Sequence, residues 1–263
     1  MSPTDNFFTD GAAYERLMGR WSRRAGDVFL DWIEVPKHLC WLDVGCGTGV
    51  FTGELIARCA PASVVGIDPS AAQIAFTENR PGLETAEFRV ADAQALPFAD
   101  RSFDIAVMAL VVHFVPDPAK AIAEMARVVR PGGLVASYVW DYPMAGSPTA
   151  PMASAMKSIG FNTPPPPSAK ATSMLALQNL WEAAGLTDIE TRVIDIAVEF
   201  ADFDEFWVSM SGPVGPQGKA IAEMTNEMRE QLRARLREIA SVQPDGRVVY
   251  RACANAIKGR SSF

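Results

Sequence analysis

Short apolar runs alternate with helical segments from residue 39 to residue 140, and this alternation limits the possible folds more than any other feature of the chain. The runs with strand character are Leu39–Val44, Ser63–Ile67, Glu87–Val90, Phe103–Leu110 and Leu134–Trp140. The helical segments between them are Val50–Cys59, Ser70–Asn79 and Pro118–Val129. Such alternation is typical of a parallel sheet covered by helices on both faces. The sequence therefore predicts an α/β fold with a doubly wound, mostly parallel sheet.

The alternation stops after residue 140. Residues 141–171 are rich in Pro, Ser, Ala and Met and read as an insertion without regular structure. A helix is expected at Ser173–Ala184 and strands at Thr187–Phe200 and Arg247–Ile257. Between those strands, residues 201–246 contain one long amphipathic helix with apolar residues from Ile221 to Ile239 at three- and four-residue steps. The N-terminal residues 11–32 also look helical, with breaks near Gly19 and Gly26.

Composition limits the classes of function. The net charge of −7 argues against a long contact with nucleic acid. The four cysteines form no metal-ligand spacing and no C-x-x-C pair, which favours reduced thiols and no metal site. The N-terminus lacks the pattern of a signal peptide, and the longest apolar run, near Ile105–Val115, is too short to span a membrane. We therefore expect a cytoplasmic protein with no membrane span.

The first strand ends in the glycine loop "WLDVGCGTGVF", Trp41–Phe51. Its alternating glycines let the backbone approach a ligand closely, and the helix that follows offers unpaired N–H groups. A dinucleotide-binding loop would carry a third glycine at the position of Val50. Asp68 ends the second strand nineteen residues after Gly49, where a carboxylate can accept hydrogen bonds from a ribose. These features alone fit either NAD or another adenosine ligand.

Three features distinguish between these ligands. Asp43, just before the loop, would repel a pyrophosphate and suits a ligand with a cationic amine. Asp92 and Ala93 follow the third strand, where an acid can accept a hydrogen bond from an adenine amino group. Val50 replaces the glycine that dinucleotide loops use. The pattern favours an adenosine ligand that carries an amino acid.

Ordered strings along residues 39 to 140 carry a family resemblance. "LDVGCGTG", "GIDPS", "ADAQALPFADRSFDIAVMALVVHFV" and "RVVRPGG" resemble the class I S-adenosylmethionine-dependent methyltransferases that act on small molecules, the methyltransferase domain 11/25-like type. "YERLMGRWSRR", Tyr14–Arg24, is similar to the N-terminal segment of some members. The resemblance implies a Rossmann-like sheet of seven strands with an antiparallel last strand and a helical lid insertion.

The resemblance also implies one domain over residues 1–263. Within it, residues 1–35 form an N-terminal helical segment and residues 39–140 the cofactor-binding core. Residues 141–171 and 201–246 are two lid insertions on the substrate side. The implied cofactor is S-adenosyl-L-methionine, which becomes S-adenosyl-L-homocysteine.

The same resemblance implies which residues contact the cofactor. They are Arg20, Asp43, Gly45, Cys46, Gly47, Asp68, Pro69, Ser70, Asp92, Ala93 and Ala109. The loop Gly45–Gly47 lines the methionine part, and Ala109 borders the sulfonium. Asp43 lies near the amino group, either directly or through the loop, and Arg20 meets the carboxylate. An alternative for Asp43 is that it only braces the loop.

The remaining residues of that set contact the nucleoside. Asp68 takes the ribose hydroxyls, with Pro69 and Ser70 near the adenine. Asp92 and Ala93 hold the amino edge of the adenine.

Methyl transfer from a sulfonium is an in-line displacement that depends mainly on alignment and on the exclusion of water. A general base is needed only if the acceptor must lose a proton. His113 follows the fourth strand and is the candidate base; the alternative is that it only packs or bonds backbone. No metal is implied.

The acceptor is expected to be a small organic molecule that reacts at O, N or C. The strand that ends at Leu110 lacks the Asn/Asp-Pro-Pro-Tyr/Phe motif of adenine and glutamine amino-methyltransferases. Trp140, Tyr142, Trp207 and Met210 in or near the lid insertions favour an aromatic or lipid-like acceptor, or they fill a core beneath the lid. Two other functions stay open: an NAD-dependent oxidoreductase, and a non-catalytic relative that binds S-adenosylmethionine. The sequence does not predict the oligomeric state.

Overall fold

The computed structural model describes the backbone of residues 11–262 and the side chains of residues 17–262. Its strands form one seven-stranded sheet in the order β3-β2-β1-β4-β5-β7-β6. Six strands point in the same direction, and β7, which lies between β5 and β6, is antiparallel to both of them. The strands are β1 (Cys40–Val44), β2 (Ser63–Asp68), β3 (Ala86–Val90), β4 (Phe103–Ala109), β5 (Val129–Trp140), β6 (Thr187–Phe200) and β7 (Val248–Arg260). The predicted α/β fold with an antiparallel last strand is confirmed.

Helices cover both faces of this sheet. They are α1 (Gly11–Ile33), α2 (Val50–Cys59), α3 (Ala71–Glu78), α4 (Pro118–Val128), α5 (Ala150–Ser158), α6 (Met174–Ala183), α7 (Phe203–Met210), α8 (Gly215–Glu223) and α9 (Asn226–Ile239). Alternate strand residues face opposite layers: Trp41 and Ile105 belong to the core beneath α1, and Leu42 and Ala106 belong to the core beneath α4 and α6. The strand order reverses between β1 and β4, which places the ligand crevice outside their carboxyl ends.

Local capping explains several of the helix boundaries. The Ser70 hydroxyl accepts a hydrogen bond from the backbone N–H of Gln73 at 3.4 Å and begins α3, as predicted. The Asp117 carboxylate caps α4 in the same way, and Pro118 follows at the first helical position. These caps fix where the connections after β2 and β4 turn back into helices, and both connections border the crevice.

The N-terminal helix differs from the prediction. We expected breaks near Gly19 and Gly26, but α1 is continuous across both residues. A Cβ atom at Gly26 would lie 3.3 Å from the Tyr138 hydroxyl and 3.5 Å from Phe51, so this glycine lets the helix pack closely on β5 and α2. The first ten residues of the predicted N-terminal segment lie outside the described residues.

The segment between β6 and β7 also differs. We expected one long helix, but Met224 is extended and Thr225 caps a new helix, with its hydroxyl accepting from the backbone N–H of Met228. The helix break is set by the Thr225 cap and not by the apolar periodicity, which continues through both helices. A smaller difference is that β5 begins at Val129 rather than at residue 134.

None of the helices in the described range is long and apolar enough to cross a membrane. Within residues 17–262, no group of three or more His, Cys, Asp or Glu side chains could hold a metal ion.

Candidate active site

The glycine loop is held against the end of β2. The backbone N–H groups of Gly45 and Cys46 both donate to the carbonyl oxygen of Ile67, at 2.7 and 2.9 Å. Gly45 has φ of +80°, and a Cβ atom there would lie 2.5 Å from a methyl carbon of Val111. Only glycine combines this backbone conformation with this close contact. The loop therefore lies tightly between the ends of β2 and β4.

The loop leaves open space at Gly47. Gly47 has φ of +53°, and a Cβ atom there would meet nothing within 4 Å. Gly49 precedes α2 without a side-chain cap, so the first N–H groups of α2 point toward the loop without a capping side chain. This open, partly positive corner suits an approaching polar ligand.

Asp68 joins the end of β2 to this loop. One carboxylate oxygen accepts from the N–H of Gly47 at 3.1 Å, and the other accepts from the N–H of Ser70 at 2.9 Å. Burial raises the pKa of this carboxyl, and the two hydrogen bonds oppose that rise. The carboxylate is thus held in a fixed orientation before any ligand binds.

A cavity of about 260 Å³, here called the cofactor cavity, lies outside the ends of these strands. All of the predicted cofactor residues except Arg20 and Asp43 line it. They are Gly45, Cys46, Gly47, Asp68, Pro69, Ser70, Asp92, Ala93 and Ala109. The carboxylate of Asp92 accepts from the backbone N–H of Gln94 at 2.8 Å. The structure thus brings together the residues that follow four different strands.

Asp43 is placed behind the loop, away from the cavity lining. Its carboxylate is fully buried, and one oxygen accepts from the Thr52 hydroxyl at 2.6 Å while the other has no partner. Burial raises its pKa to about 7, against the opposing effect of the Thr52 hydrogen bond. Asp43 therefore braces β1 against α2 through a side-chain contact, rather than through the backbone of the loop.

Arg20 is also absent from the described lining of this cavity. Its guanidinium pairs with Glu205 of α7 at 2.5 Å and lies 5.6 Å from the ring centre of Phe200. The helix therefore directs Arg20 toward β6 and α7, and its contact with the cofactor carboxylate stays a prediction.

Ser22, two residues further along α1, lines the cavity instead. Its hydroxyl oxygen is buried and has no hydrogen-bond partner. Ser22 was not predicted as a site residue because it lies far in sequence from every strand end. The one available signal was its place inside the Tyr14–Arg24 segment that carries the family resemblance.

A second cavity of about 400 Å³, here called the acceptor cavity, adjoins the first. Leu110 and Phe114 line both cavities, so the two cavities meet at these side chains. Leu110 has φ of 60°, a rare conformation for leucine, and its N–H donates to the Tyr138 carbonyl oxygen at 2.8 Å. Backbone strain of this kind is concentrated at functional sites.

The lid insertions supply most of the acceptor cavity. It is lined by Leu17, Met18, Leu110, His113, Phe114, Trp140, Tyr142, Ala145, Ser147, Thr149, Ala150, Ala153, Thr163, Pro164, Pro165, Pro166, Pro167, Val214, Gly215, Pro216 and Gln217. Two of the predicted acceptor residues, Trp140 and Tyr142, are in this lining. The other two are not: Met210 is buried in the core, and Trp207 packs against that core. Helix α7 faces β6, and this places Trp207 and Met210 outside the described lining of the cavity.

His113 lies in the acceptor cavity on a short 3₁₀ turn, Val112–Phe114. Its ring centre lies 3.9 Å from that of Phe114 and 4.9 Å from that of Tyr142. It is 3% exposed, and its Nδ1 atom has no hydrogen-bond partner. Burial lowers the pKa of His113 to about 3, so the imidazole is neutral at neutral pH.

The cofactor cavity fits S-adenosylmethionine. Open space at Gly47 accepts the close approach of a ligand, and Asp68 offers an oriented carboxylate for a ribose. The buried, unpartnered hydroxyl of Ser22 offers a further polar contact on the N-terminal helix.

Comparison with known proteins gives the same family. The family model described as "Methyltransferase domain" matches residues 42–137. The chain is 35% identical over 198 residues to the O-methyltransferase cnsE of Penicillium expansum, a match that covers 72% of this chain and 67% of that protein. Other curated relatives match over shorter parts of their length, such as 57% for a Thermus thermophilus demethylmenaquinone methyltransferase.

Solved structures share the fold at low sequence identity. The YcgJ protein of Bacillus subtilis superposes with a TM-score of 0.62 at 18% identity, over 92% of this chain and 99% of that chain. The family assignment removes the support for the alternative that the glycine loop binds NAD. The glycine loop, Asp68, the seven-stranded sheet and the extended match to cnsE place this chain among the class I S-adenosylmethionine-dependent methyltransferases, whose methyl donor is S-adenosylmethionine.

Proposed function

We propose that this chain transfers a methyl group from S-adenosylmethionine to a small organic acceptor held in the acceptor cavity. The observation that carries the proposal is that the two cavities meet at Leu110 and Phe114, which line both of them. Ligands in the two cavities would approach each other where the cavities meet. Such an approach is what a direct displacement between two bound molecules requires.

The residues have distinct parts in this proposal. S-adenosylmethionine, when bound, supplies an electrophilic methyl group on a positively charged sulfur. The loop Gly45–Gly47, Asp68 and Asp92 bind and orient it, and Ser22 adds a contact from α1. The apolar lid residues exclude water from the acceptor side.

An oxygen acceptor has support from the comparison. The Penicillium expansum relative, whose match covers 72% of this chain, is named an O-methyltransferase. A hydroxyl acceptor gives up its proton when its oxygen forms the new bond to carbon. The imidazole of His113, neutral because burial lowers its pKa to about 3, would accept a hydrogen bond from that hydroxyl, take up its proton as the carbon–oxygen bond forms, and release it to water.

We also propose that the protein acts in the cytoplasm. All four cysteines are unpaired in the structure, which accords with a reducing compartment.

A transfer assay tests the proposal. Protein and S-adenosylmethionine with a tritiated methyl group are incubated with neutral, anionic and cationic ring-bearing probes, and the organic products are counted. We expect labelled product from at least one class of probe, and none without protein. Saturable binding of S-adenosylhomocysteine with no transfer to any class would contradict an enzymatic role and favour the non-catalytic binding protein.

A further inference from the structure

Building on the proposed function, we infer that the methyl acceptor is an uncharged, mainly apolar molecule that carries a hydroxyl group, and that this hydroxyl hydrogen-bonds to the imidazole of His113. The inference names the substrate class of the acceptor cavity. It rests on the charge of the lining, on the rigidity of one wall and on the unmet hydrogen bond of His113.

The acceptor cavity offers no compensation for a charged ligand. Among the described residues that line it, none is Asp, Glu, Lys or Arg, and its histidine is neutral. Moving a carboxylate, a phosphate or an ammonium group into such a site costs several kcal/mol unless an opposite charge meets it. Leu110, Phe114 and Trp140 instead provide apolar contact area. The lining therefore selects neutral acceptors.

One wall of the cavity is rigid before any ligand binds. Residues Pro164–Pro167 line it in succession, and each proline ring fixes its own φ angle. Ser168 anchors the end of this segment, because its N–H donates to the His113 carbonyl oxygen at 3.0 Å and its hydroxyl donates to the Val115 carbonyl oxygen at 2.7 Å. The proline wall and the turn that carries His113 are thus one connected unit. A preformed wall favours a ligand of fixed shape, such as a ring system.

His113 provides the polar contact that fixes the orientation of the ligand. A buried polar atom without a hydrogen-bond partner destabilises the protein, and Nδ1 of His113 is such an atom. By contrast, the hydroxyls of Ser147 and Thr149 lie 3.0 Å apart and bond to each other. None of the described side chains or backbone groups fixes which ring nitrogen carries the hydrogen, so the imidazole can accept from a ligand hydroxyl. Stacking against Phe114 and Tyr142 holds the ring in place.

The experiment compares ligands that differ in one group, on protein saturated with S-adenosylhomocysteine. The probes are 2-naphthol, naphthalene, 2-naphthoate and 2-naphthylmethylammonium, and binding is measured by calorimetry or fluorescence. We expect 2-naphthol to bind at least tenfold more tightly than either charged probe. Equal or tighter binding of a charged probe would overturn the inference.

The His113 contact is tested by a double comparison. In His113→Phe, we expect 2-naphthol to bind about tenfold more weakly, while naphthalene binding changes less than twofold. His113→Asn, which keeps a polar group near Nδ1, should recover part of the affinity for 2-naphthol. Equal losses for 2-naphthol and naphthalene would show that His113 only packs. His38→Asn at the opposite end of β1 is the matched control and should change neither ligand.

Affinity for S-adenosylhomocysteine distinguishes a failure of the proposed function from a failure of the inferred acceptor class. A chain that does not bind S-adenosylhomocysteine would overturn the proposed function as a whole. A chain that binds it, but prefers charged probes, would overturn the acceptor class alone. In each His113 variant, retained affinity for S-adenosylhomocysteine also shows that the variant is folded.

Discussion

The backbone N–H of Gly47 donates a 3.1 Å hydrogen bond to the carboxylate of Asp68, and this bond ties the loop after β1 to the end of β2. The two residues are 21 positions apart and lie on neighbouring strands. The bond fixes the same carboxylate that we propose receives the ribose hydroxyls of the cofactor. Loop shape and cofactor recognition are therefore coupled through one side chain.

Replacement of Asp68 should remove most of the cofactor affinity. Asp68→Ala loses the acceptor for the ribose hydroxyls and for the N–H groups of Gly47 and Ser70. We expect the dissociation constant for S-adenosylhomocysteine to rise on the order of 100-fold, because hydrogen bonds to charged groups contribute about 1.5–3 kcal/mol each. Calorimetric titration measures it.

Asp104 offers a matched control for Asp68. Its carboxylate also accepts from a backbone N–H, that of Cys40, but at the opposite end of the sheet. Asp104→Ala should lower the melting temperature and leave the dissociation constant within about twofold. A similar loss of cofactor affinity in both variants would mean that the Asp68 effect comes from general destabilisation.

Ser22 should contribute to cofactor binding from α1. Its buried hydroxyl has no partner in the protein, so a cofactor that fills the cavity can supply one. We expect Ser22→Ala to weaken binding of S-adenosylhomocysteine about fivefold to tenfold and to leave the unliganded stability nearly unchanged. Ser102→Ala, in a turn at the other end of the sheet, serves as the control. Unchanged affinity in Ser22→Ala would remove Ser22 from the site.

Arg20 should matter little for the cofactor. Because its guanidinium pairs with Glu205 and is more than half exposed, we expect Arg20→Ala to change the dissociation constant less than about twofold. Glu205→Gln, which breaks the same pair from the other side, should behave alike. A tenfold loss of affinity in Arg20→Ala, with none in Glu205→Gln, would show that Arg20 contacts the cofactor carboxylate, as the family resemblance implies.

Asp43 should make stability fall as the pH rises. Burial raises its pKa to about 7 from 3.8, so between these values the folded chain keeps a proton that the unfolded chain releases. The unfolding free energy of the wild type should therefore fall by about 3 kcal/mol between pH 5 and pH 8, relative to Asp43→Asn. Urea unfolding at both pH values measures this difference. A pH-independent difference would show that Asp43 is ionised throughout.

His113 should make the unfolding free energy fall as the pH falls. Burial lowers its pKa to about 3 from 6.5, so below pH 6.5 the unfolded chain binds a proton that the folded chain refuses. Relative to His113→Phe, the wild type should lose about 3 kcal/mol of unfolding free energy between pH 8 and pH 4.5. Equal pH profiles would show that the imidazole is accessible to protons in the folded state.

Short-range signals made the fold and much of the cofactor cavity predictable. The glycine loop and Asp68 each sit at the end of an apolar strand, and parallel strands bring their carboxyl ends to one edge. The relative positions of Gly47 and Asp68 follow from strand pairing, in which β1 and β2 are neighbours in register. The sequence of residues 39 to 140 was therefore sufficient to predict the fold and much of the cofactor cavity.

The parts of the site that the sequence did not predict are determined by how segments far apart in the chain pack together. Arg20 and Ser22 share one helix, and only the rotation of that helix against β5 and α2 decides which of them faces the cavity. Trp207 is an aromatic residue of the kind that often contacts ligands, but it packs against the core. Pro164–Pro167 were expected to lie in an irregular insertion, and they form one wall of the acceptor cavity. Neither outcome is encoded in local periodicity, because both depend on contacts between residues far apart in the sequence.

The most direct test of the central assignment is a calorimetric titration of the wild-type chain with S-adenosylhomocysteine, beside an identical titration with NADH. The account predicts saturable binding of one S-adenosylhomocysteine per chain and no heat of binding with NADH. Saturable binding of NADH, with none of S-adenosylhomocysteine, would contradict it.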